Sequence, residues 1–139
     1  MLQGTHHCRR RGAIILESAI IYPLTFLLIL GLVIGAMGVF RYQEVASLAR
    51  EATRYASVHG TKYQQVTGKP AATATDIHDN VIVPRAVALD PSKLTYTVTW
   101  SPDNKPGSTV SVTINYNWVP EAFLPILNLS STATETMAY

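Results

Sequence analysis

Charge is scarce in this chain and cysteine is nearly absent. Only 14% of the 139 residues are Asp, Glu, Lys or Arg, and mean hydropathy is positive at +0.15, a low charge for a soluble domain of this size. The formal net charge of +2 is concentrated in Arg9, Arg10 and Arg11, leaving the rest near neutral. No basic face long enough for nucleic acid remains. One cysteine, Cys8, excludes an internal disulfide framework. Gly-x-Ser-x-Gly, His-Glu-x-x-His and a phosphate loop are all missing. His6, His7 and Cys8 are adjacent, so they close no tetrahedral metal site without ligands from elsewhere. His59 and His78 are isolated. Asp76 and Asp79 flank His78 without a nucleophile, and read as solvated charges near a helix start. These absences argue against an enzyme, a bound metal or cofactor and a small-molecule substrate. The length leaves room for one domain plus a membrane segment.

What is present is one long apolar run. From Ser18 to Phe40 there is no charged residue, and as a helix the run is about 35 Å long, enough for a hydrocarbon core of about 30 Å. Pro23 would break a surface helix but is tolerated in a spanning one. Three arginines before the run and only Arg41 after it predict a cytoplasmic N-terminus in a single-pass inner-membrane protein. Phe40 and Tyr42 fall where an outer aromatic belt belongs. A cleaved signal peptide shares these ingredients, with Ile34 to Gly38 small enough for a signal peptidase. Its apolar core, however, is typically about 7–15 residues, shorter than this run, so retention is expected.

Glu17 needs a reason, because a carboxylate that reaches hydrocarbon costs about 3 kcal/mol on insertion scales. The first helical turn at the interface supplies one, since the helix dipole favours an anion there. Its context supplies another. Arg9-Arg10-Arg11-Gly12, then Ala13 to Leu16, then Glu17 and the uncharged run resemble the processing site of type IV prepilins. The resemblance implies cleavage between Gly12 and Ala13 by a prepilin peptidase. The new ammonium on Ala13 would share a helix face with Glu17, so the carboxylate can neutralise it, or that of a neighbouring subunit. Within the span, Gly31 and Gly35, with Ala36 and Gly38 nearby, form a small-residue surface on which two helices can approach. Glycine is also simply frequent in membrane helices.

Beyond the span the periodicity becomes amphipathic. Val45, Leu48, Ala49, Ala52, Tyr55 and Ala56 fall on one face, with Ser47, Arg50, Glu51, Arg54 and Ser57 on the other. Gly60 is placed as a helix stop. Nothing obliges a break at Arg41, so span and amphipathic helix are expected to form one helix. The Arg-Gly-Ala start, Leu16-Glu17-Ser18-Ala19, Leu24 after Pro23, and Ala49-Arg50-Glu51-Ala52-Thr53-Arg54-Tyr55-Ala56 together resemble TadE-like pseudopilins, minor pilin-like proteins of the tight-adherence (Flp) pilus. Ser18 departs from the aromatic residue that often follows the family's glutamate. The resemblance implies pilin-like subunits, pilus-assembly platform proteins, the prepilin peptidase and the lipid bilayer as partners.

Thr61 to Ala74 reads as a polar link. A second helical pattern over Thr75 to Leu89, interrupted by Pro84, offers Ile77, Val81, Ile82, Val87 and Ala88 as a buried face. Leu94 to Trp100 and Val110 to Trp118 alternate apolar with Thr, Ser or Asn, the mark of strands with one buried face. Ser101 to Gly107 joins them as a hairpin, and a third strand is expected over Leu129 to Tyr139. Val119 to Leu127 is a greasy connection, expected to fill the core; the alternative is that Phe123, Leu124, Ile126 and Leu127 touch the membrane surface or a neighbour. The expected fold is α+β: a long N-terminal transmembrane helix continuing into an amphipathic helix on a three- to four-stranded antiparallel sheet. The expected organisation is a basic leader (1–12), a transmembrane helix (13–41) and an extracytoplasmic domain (42–139). Two functions follow: a pseudopilin in a pilus or related secretion apparatus, or a membrane-anchored binding module in which the helix is only a tether. Glu17 separates them, because a mere anchor has no use for it.

Overall fold

The computed structural model describes residues 7–120 and 125–138, with side chains from residue 14 onward. The chain divides into two compact units, Met1–Met37 and Gly38–Tyr139. Helix α1, His7–Val58, supplies the described part of the first unit and enters the second. It has no break at Arg41, and Pro23 lies inside it.

In the second unit the amphipathic part of α1 lies against a sheet of order β1-β2-β3, all antiparallel. The strands are β1 Leu94–Ser101, β2 Thr109–Trp118 and β3 Leu127–Thr136. Trp118 on β2 touches α1 at Gly38, and Thr53 on α1 reaches the Ala133 carbonyl of β3. Val45, Leu48, Ala49, Ala52 and Ala56 are buried on the helix, and Val110, Val112, Ile114, Tyr116 and Trp118 on β2. Alternation along β2 therefore turns every second side chain into this core, as period-two geometry requires. Thr53 and Ser57 join the buried face of α1. Ser57 thus does not belong with the polar face: its hydroxyl donates back to the Arg54 carbonyl at 2.9 Å, which allows a serine to be buried without an orphaned group.

Three features differ from the sequence expectation. The link after α1 contains a helix, α2, Thr61–Thr67. Gly60 is its N-cap, with ordinary negative φ, while Gly68 at φ 72° supplies the left-handed C-cap. The first amide of α2 is satisfied from outside: Thr61 donates to the Asn104 carbonyl through both its N–H and its hydroxyl. Next, α3 (Ala74–Ile77) passes through a π-helical turn, His78–Ile82, into a last turn, Val83–Arg85. In that turn the Val83 N–H bonds His78, one residue further back than in an α-helix. The widening directly precedes Pro84, whose ring would otherwise press on the preceding turn. Ile77, Val81 and Ile82 are buried as expected, but Val87 is 89% exposed and Ala88 is exposed too. Ala86 leaves helical geometry at ψ 57°, so helical spacing no longer selects the inner side, and Ala86 and Leu89 are buried instead. Third, of the greasy connection Pro120 is buried while Val119, Ile126 and Leu127 are exposed, so this part does not fill the core; Phe123 and Leu124 lie outside the described residues.

The far end of the second unit is closed by backbone bonds. Gly107, at φ 88°, donates to the Met137 carbonyl, the Met137 N–H to Ser108 and the Ala138 N–H to Ser57. The chain after β3 is thereby fastened to the β1–β2 hairpin and to the end of α1.

A Cβ on Gly38 would lie 2.8 Å from the indole Cζ3 of Trp118, whereas at Gly31 or Gly35 it would meet nothing within 4 Å. Alanine gains about 1 kcal/mol of helix propensity over glycine, but overpacking against a rigid ring costs about 1–3 kcal/mol. Gly38→Ala is therefore expected to lower the unfolding temperature of the detergent-solubilised protein, with Trp118 displaced, while Gly31→Ala and Gly35→Ala leave it unchanged or raised. Thermal unfolding followed by tryptophan fluorescence measures all three.

Candidate functional site

Among the described residues, nothing covers the apolar run. Within α1 the stretch from Ile14 is long and apolar enough to cross a membrane, with mean hydropathy 2.4 in its most apolar window and none of that window buried. A helix of this composition in a water-soluble core would be covered; Ile20, Leu24 and Leu28 are each about two-thirds exposed. Such a surface needs either lipid or other helices around it. The helix is compatible with single-pass membrane anchoring. Thr25 turns its hydroxyl back to the Ile21 carbonyl at 2.9 Å, which hides its one strong donor along a stretch without water. Glu17 is exposed and has no ion-pair partner among the described residues. It stands four positions after Ala13 in the same helix, and the helix runs through the Gly12–Ala13 bond.

Where the apolar run ends, α1 grips the domain. Arg41 donates to the Ala88 carbonyl at 3.0 Å and lies 3.4 Å from the Tyr116 hydroxyl, with its guanidinium 5.8 Å from the centre of the Trp118 ring. Three residues on, Glu44 accepts from the Ala88 N–H at 3.0 Å. One helical turn thus holds both backbone polar groups of a single loop residue, a charge-assisted arrangement stronger than two neutral bonds. The Asp90 N–H approaches the Tyr116 hydroxyl at 3.5 Å, tying the chain ahead of β1 to the same place. Two polar atoms here, Glu44 Oε2 and Trp118 Nε1, are buried without a hydrogen-bond partner among the described residues.

Residues 12–54 match the TadE-like protein family. No curated protein and no solved structure matches the chain. The TadE-like segment opens at Gly12, carries Glu17, Gly31 and Gly35, includes the Arg41–Glu44 grip and closes at Arg54 within the buried part of α1.

A second constellation lies just past the TadE-like segment and was not singled out from the sequence. Tyr55 and His59 stack with ring centres 4.0 Å apart, and Tyr63 meets His59 at 4.6 Å, tilted by 57°. His59 Nδ1 lies 2.9 Å from the Tyr55 carbonyl; since a carbonyl only accepts, this nitrogen carries the proton and leaves Nε2 as the acceptor of the neutral ring. With Asp76 and Asn80 these rings line an open cleft of about 390 Å³. Burial, then the charge of Asp76, then Tyr63 hold the Tyr55 phenol above its ordinary range. The spacing i, i+4, i+8 of Tyr55, His59 and Tyr63 was the available signal. His78 is engaged as well, stacked on Tyr96 at 4.7 Å and paired with Asp79 at 2.7 Å. No metal-ligating group of His, Cys, Asp or Glu occurs among the described residues; His6 lies outside them.

Three carboxylates at turns are held below their ordinary value of 3.8: Asp76 by the Thr73 hydroxyl and amide, Asp90 by the Ser92 hydroxyl and amide, and Asp103 by Lys105 and then Ser108. Asp76 and Thr73 form a reciprocal cap on α3, and Asp103 closes the β1–β2 hairpin at 2.6 Å from Ser108 and 2.8 Å from Lys105. A depressed folded-state pKa contributes stability that is complete above the unfolded value and is lost as pH falls through the folded one. The domain should accordingly lose stability on acidification from about pH 5 towards pH 2. Asp103→Asn should be less stable near neutrality and show a shallower acid loss, read from unfolding temperatures across that range.

Proposed function

We propose that this chain is a TadE-like pseudopilin, a minor pilin-like structural component of a tight-adherence (Flp, type IV-like) pilus or a related secretion apparatus. The observation that carries the reading is the TadE-like match over residues 12–54. It coincides with a helix whose apolar surface finds no cover among the described residues. An apolar helix left bare by its own fold is suited to lipid first and to other helices afterwards, which is what a subunit moving from membrane to assembly requires.

In this reading residues 1–12 form a cytoplasmic leader, 13–41 the span of the inner membrane and 42–139 the extracytoplasmic domain. A prepilin peptidase cuts between Gly12 and Ala13. The ammonium released on Ala13 and the Glu17 carboxylate then lie on one helix face. Each charge alone is costly at the edge of hydrocarbon; paired, within one chain or between neighbours, they offset one another. Pairing between neighbours also fixes the axial register of two helices, because a shift by one turn leaves both charges unpaired. Gly31 and Gly35, open on the helix surface, let a second backbone approach closely there. Other pilin-like subunits and the assembly platform are the partners, and the role is structural rather than enzymatic.

N-terminal sequencing of the membrane-extracted protein tests the processing step. The expected start is Ala13; an intact leader reduces Glu17 to an interfacial acid, and a start beyond Met37 makes the segment an ordinary signal peptide. Glu17→Ala is expected to leave membrane insertion intact and to abolish incorporation into the pilus or its assembly complex, measured by co-purification with pilin-like subunits. Normal incorporation of this variant would remove charge pairing from the mechanism.

A further inference from the structure

The end of the second unit nearest the apolar run is itself apolar. Trp118, the last residue of β2, pairs with Leu127, the first of β3, and its indole ring rests on Gly38 of α1. Gly38 belongs to the uncharged run, three residues and about 4.5 Å along the helix axis on the span side of Arg41. The Trp118–Leu127 rung therefore does not lie above the point where the chain first becomes charged; it lies beside the last turn of the apolar helix. Val119 at 48%, Ile126 at 66% and Leu127 at 42% are exposed at that rung, and Val39 and Phe40, the next residues of α1 after Gly38, are exposed too at 63% and 61%. Arg41, the first charged residue after the run, is folded inward onto the Ala88 carbonyl and Tyr116.

We propose that this end of the domain is a lipid-contact surface, in which Val119, Ile126 and Leu127 enter the headgroup region of the bilayer that α1 spans. The inference rests on the single-pass membrane reading and adds to it a second contact, one that sets how the domain stands on the membrane. Lipid is the occupant because the patch is level with a helix segment that is itself in the bilayer boundary. Through its pairing with Trp118, whose ring rests on Gly38, Leu127 is tied to the turn that precedes Val39 and Phe40. The chemistry suits that zone, where an aromatic body beside aliphatic side chains is favoured and unscreened charge is not.

The test uses the full-length chain with Cys8→Ser, reconstituted into phosphatidylcholine–phosphatidylglycerol vesicles. Single cysteines at Ile126→Cys, Val119→Cys, Leu24→Cys and Thr132→Cys carry an environment-sensitive fluorophore, quenched by lipids bearing spin labels either in the headgroup or deep in the acyl chain. The proposal expects strong headgroup quenching at 126 and 119, deep quenching at 24, and several-fold weaker quenching of either kind at 132, on the outer face of the sheet. Labels at 126 and 119 that escape quenching while 24 is quenched overturn the lipid contact and leave the anchor standing, whether those labels report water or a neighbouring protein. Absence of quenching at 24 overturns the membrane reading and the proposal with it. Two labelled positions are used so that local damage by one substitution does not decide the outcome.

Discussion

The second unit depends on one contact above the others, that of the buried edge of α1 with β2. Every second residue of β2 from Val110 to Trp118 is inside, and removing a large side chain of this kind from water contributes about 1.5–3 kcal/mol. The helix meets it with residues that are mostly small: Gly38, then Ala49, Ala52, Thr53 and Ala56. Small residues on one side and large ones on the other let helix and strand interdigitate without voids, as close packing demands. β1 and β3 are then fixed by register to β2, while α2 and the helical stretch 74–85 are held by loops that the sheet and α1 define. Gly38 is where this contact reaches furthest along the helix, so the boundary between apolar run and folded domain is a packing contact as well as a change in composition.

Much of this fold could be read from the sequence, for identifiable reasons. β1 and β2 alternate strictly, and Val110, Val112 and Ile114 leave no other period that fits. The face of α1 from Val45 to Ala56 follows because alanines at helical spacing have no other use in an amphipathic stretch. Other features were hidden by their own chemistry. Helix α2 lacks a side-chain N-cap and a buried residue, so neither start signal nor periodicity marks it; its first amide is satisfied by Asn104, distant in sequence. Ser57 is buried because its hydroxyl closes a bond within its own turn, which composition alone does not disclose. Past Arg85 the chain is no longer helical, and a helical template then selects the wrong neighbours, Val87 and Ala88 in place of Ala86 and Leu89.

The candidate site divides along the same line. The bare helix is legible because a long uncharged apolar run leaves few other readings. Arg41 is not: counted as a charge it serves only to orient the span, whereas its hydrogen bonds make it, with Glu44, a clamp on the backbone of Ala88. Gly38 was grouped with Gly31 and Gly35 as a small residue for helix association, yet it alone faces Trp118. The Tyr55–His59–Tyr63 stack is not legible because each residue has an ordinary reading by itself and only the junction of α1 and α2 brings the rings together.

The low charge of the chain also has a structural expression. The outer face of the sheet carries Thr95, Thr97 and Thr99 on β1, Ser111, Thr113 and Asn115 on β2, and Ser130, Thr132 and Thr134 on β3, none of them charged. The cross-strand register brings Thr113 opposite Thr132 and Ser111 opposite Thr134, and their hydroxyls meet at 2.9 Å and 3.2 Å. Such pairs contribute about 0.2–1 kcal/mol each, and threonine favours the strand conformation through its branched Cβ. A three-stranded sheet whose edge strands are only half covered needs that second face. Here the inner face is held by burial against α1 and the outer face by neutral hydroxyl pairs, so neither relies on ion pairs, which salt and solvent would weaken.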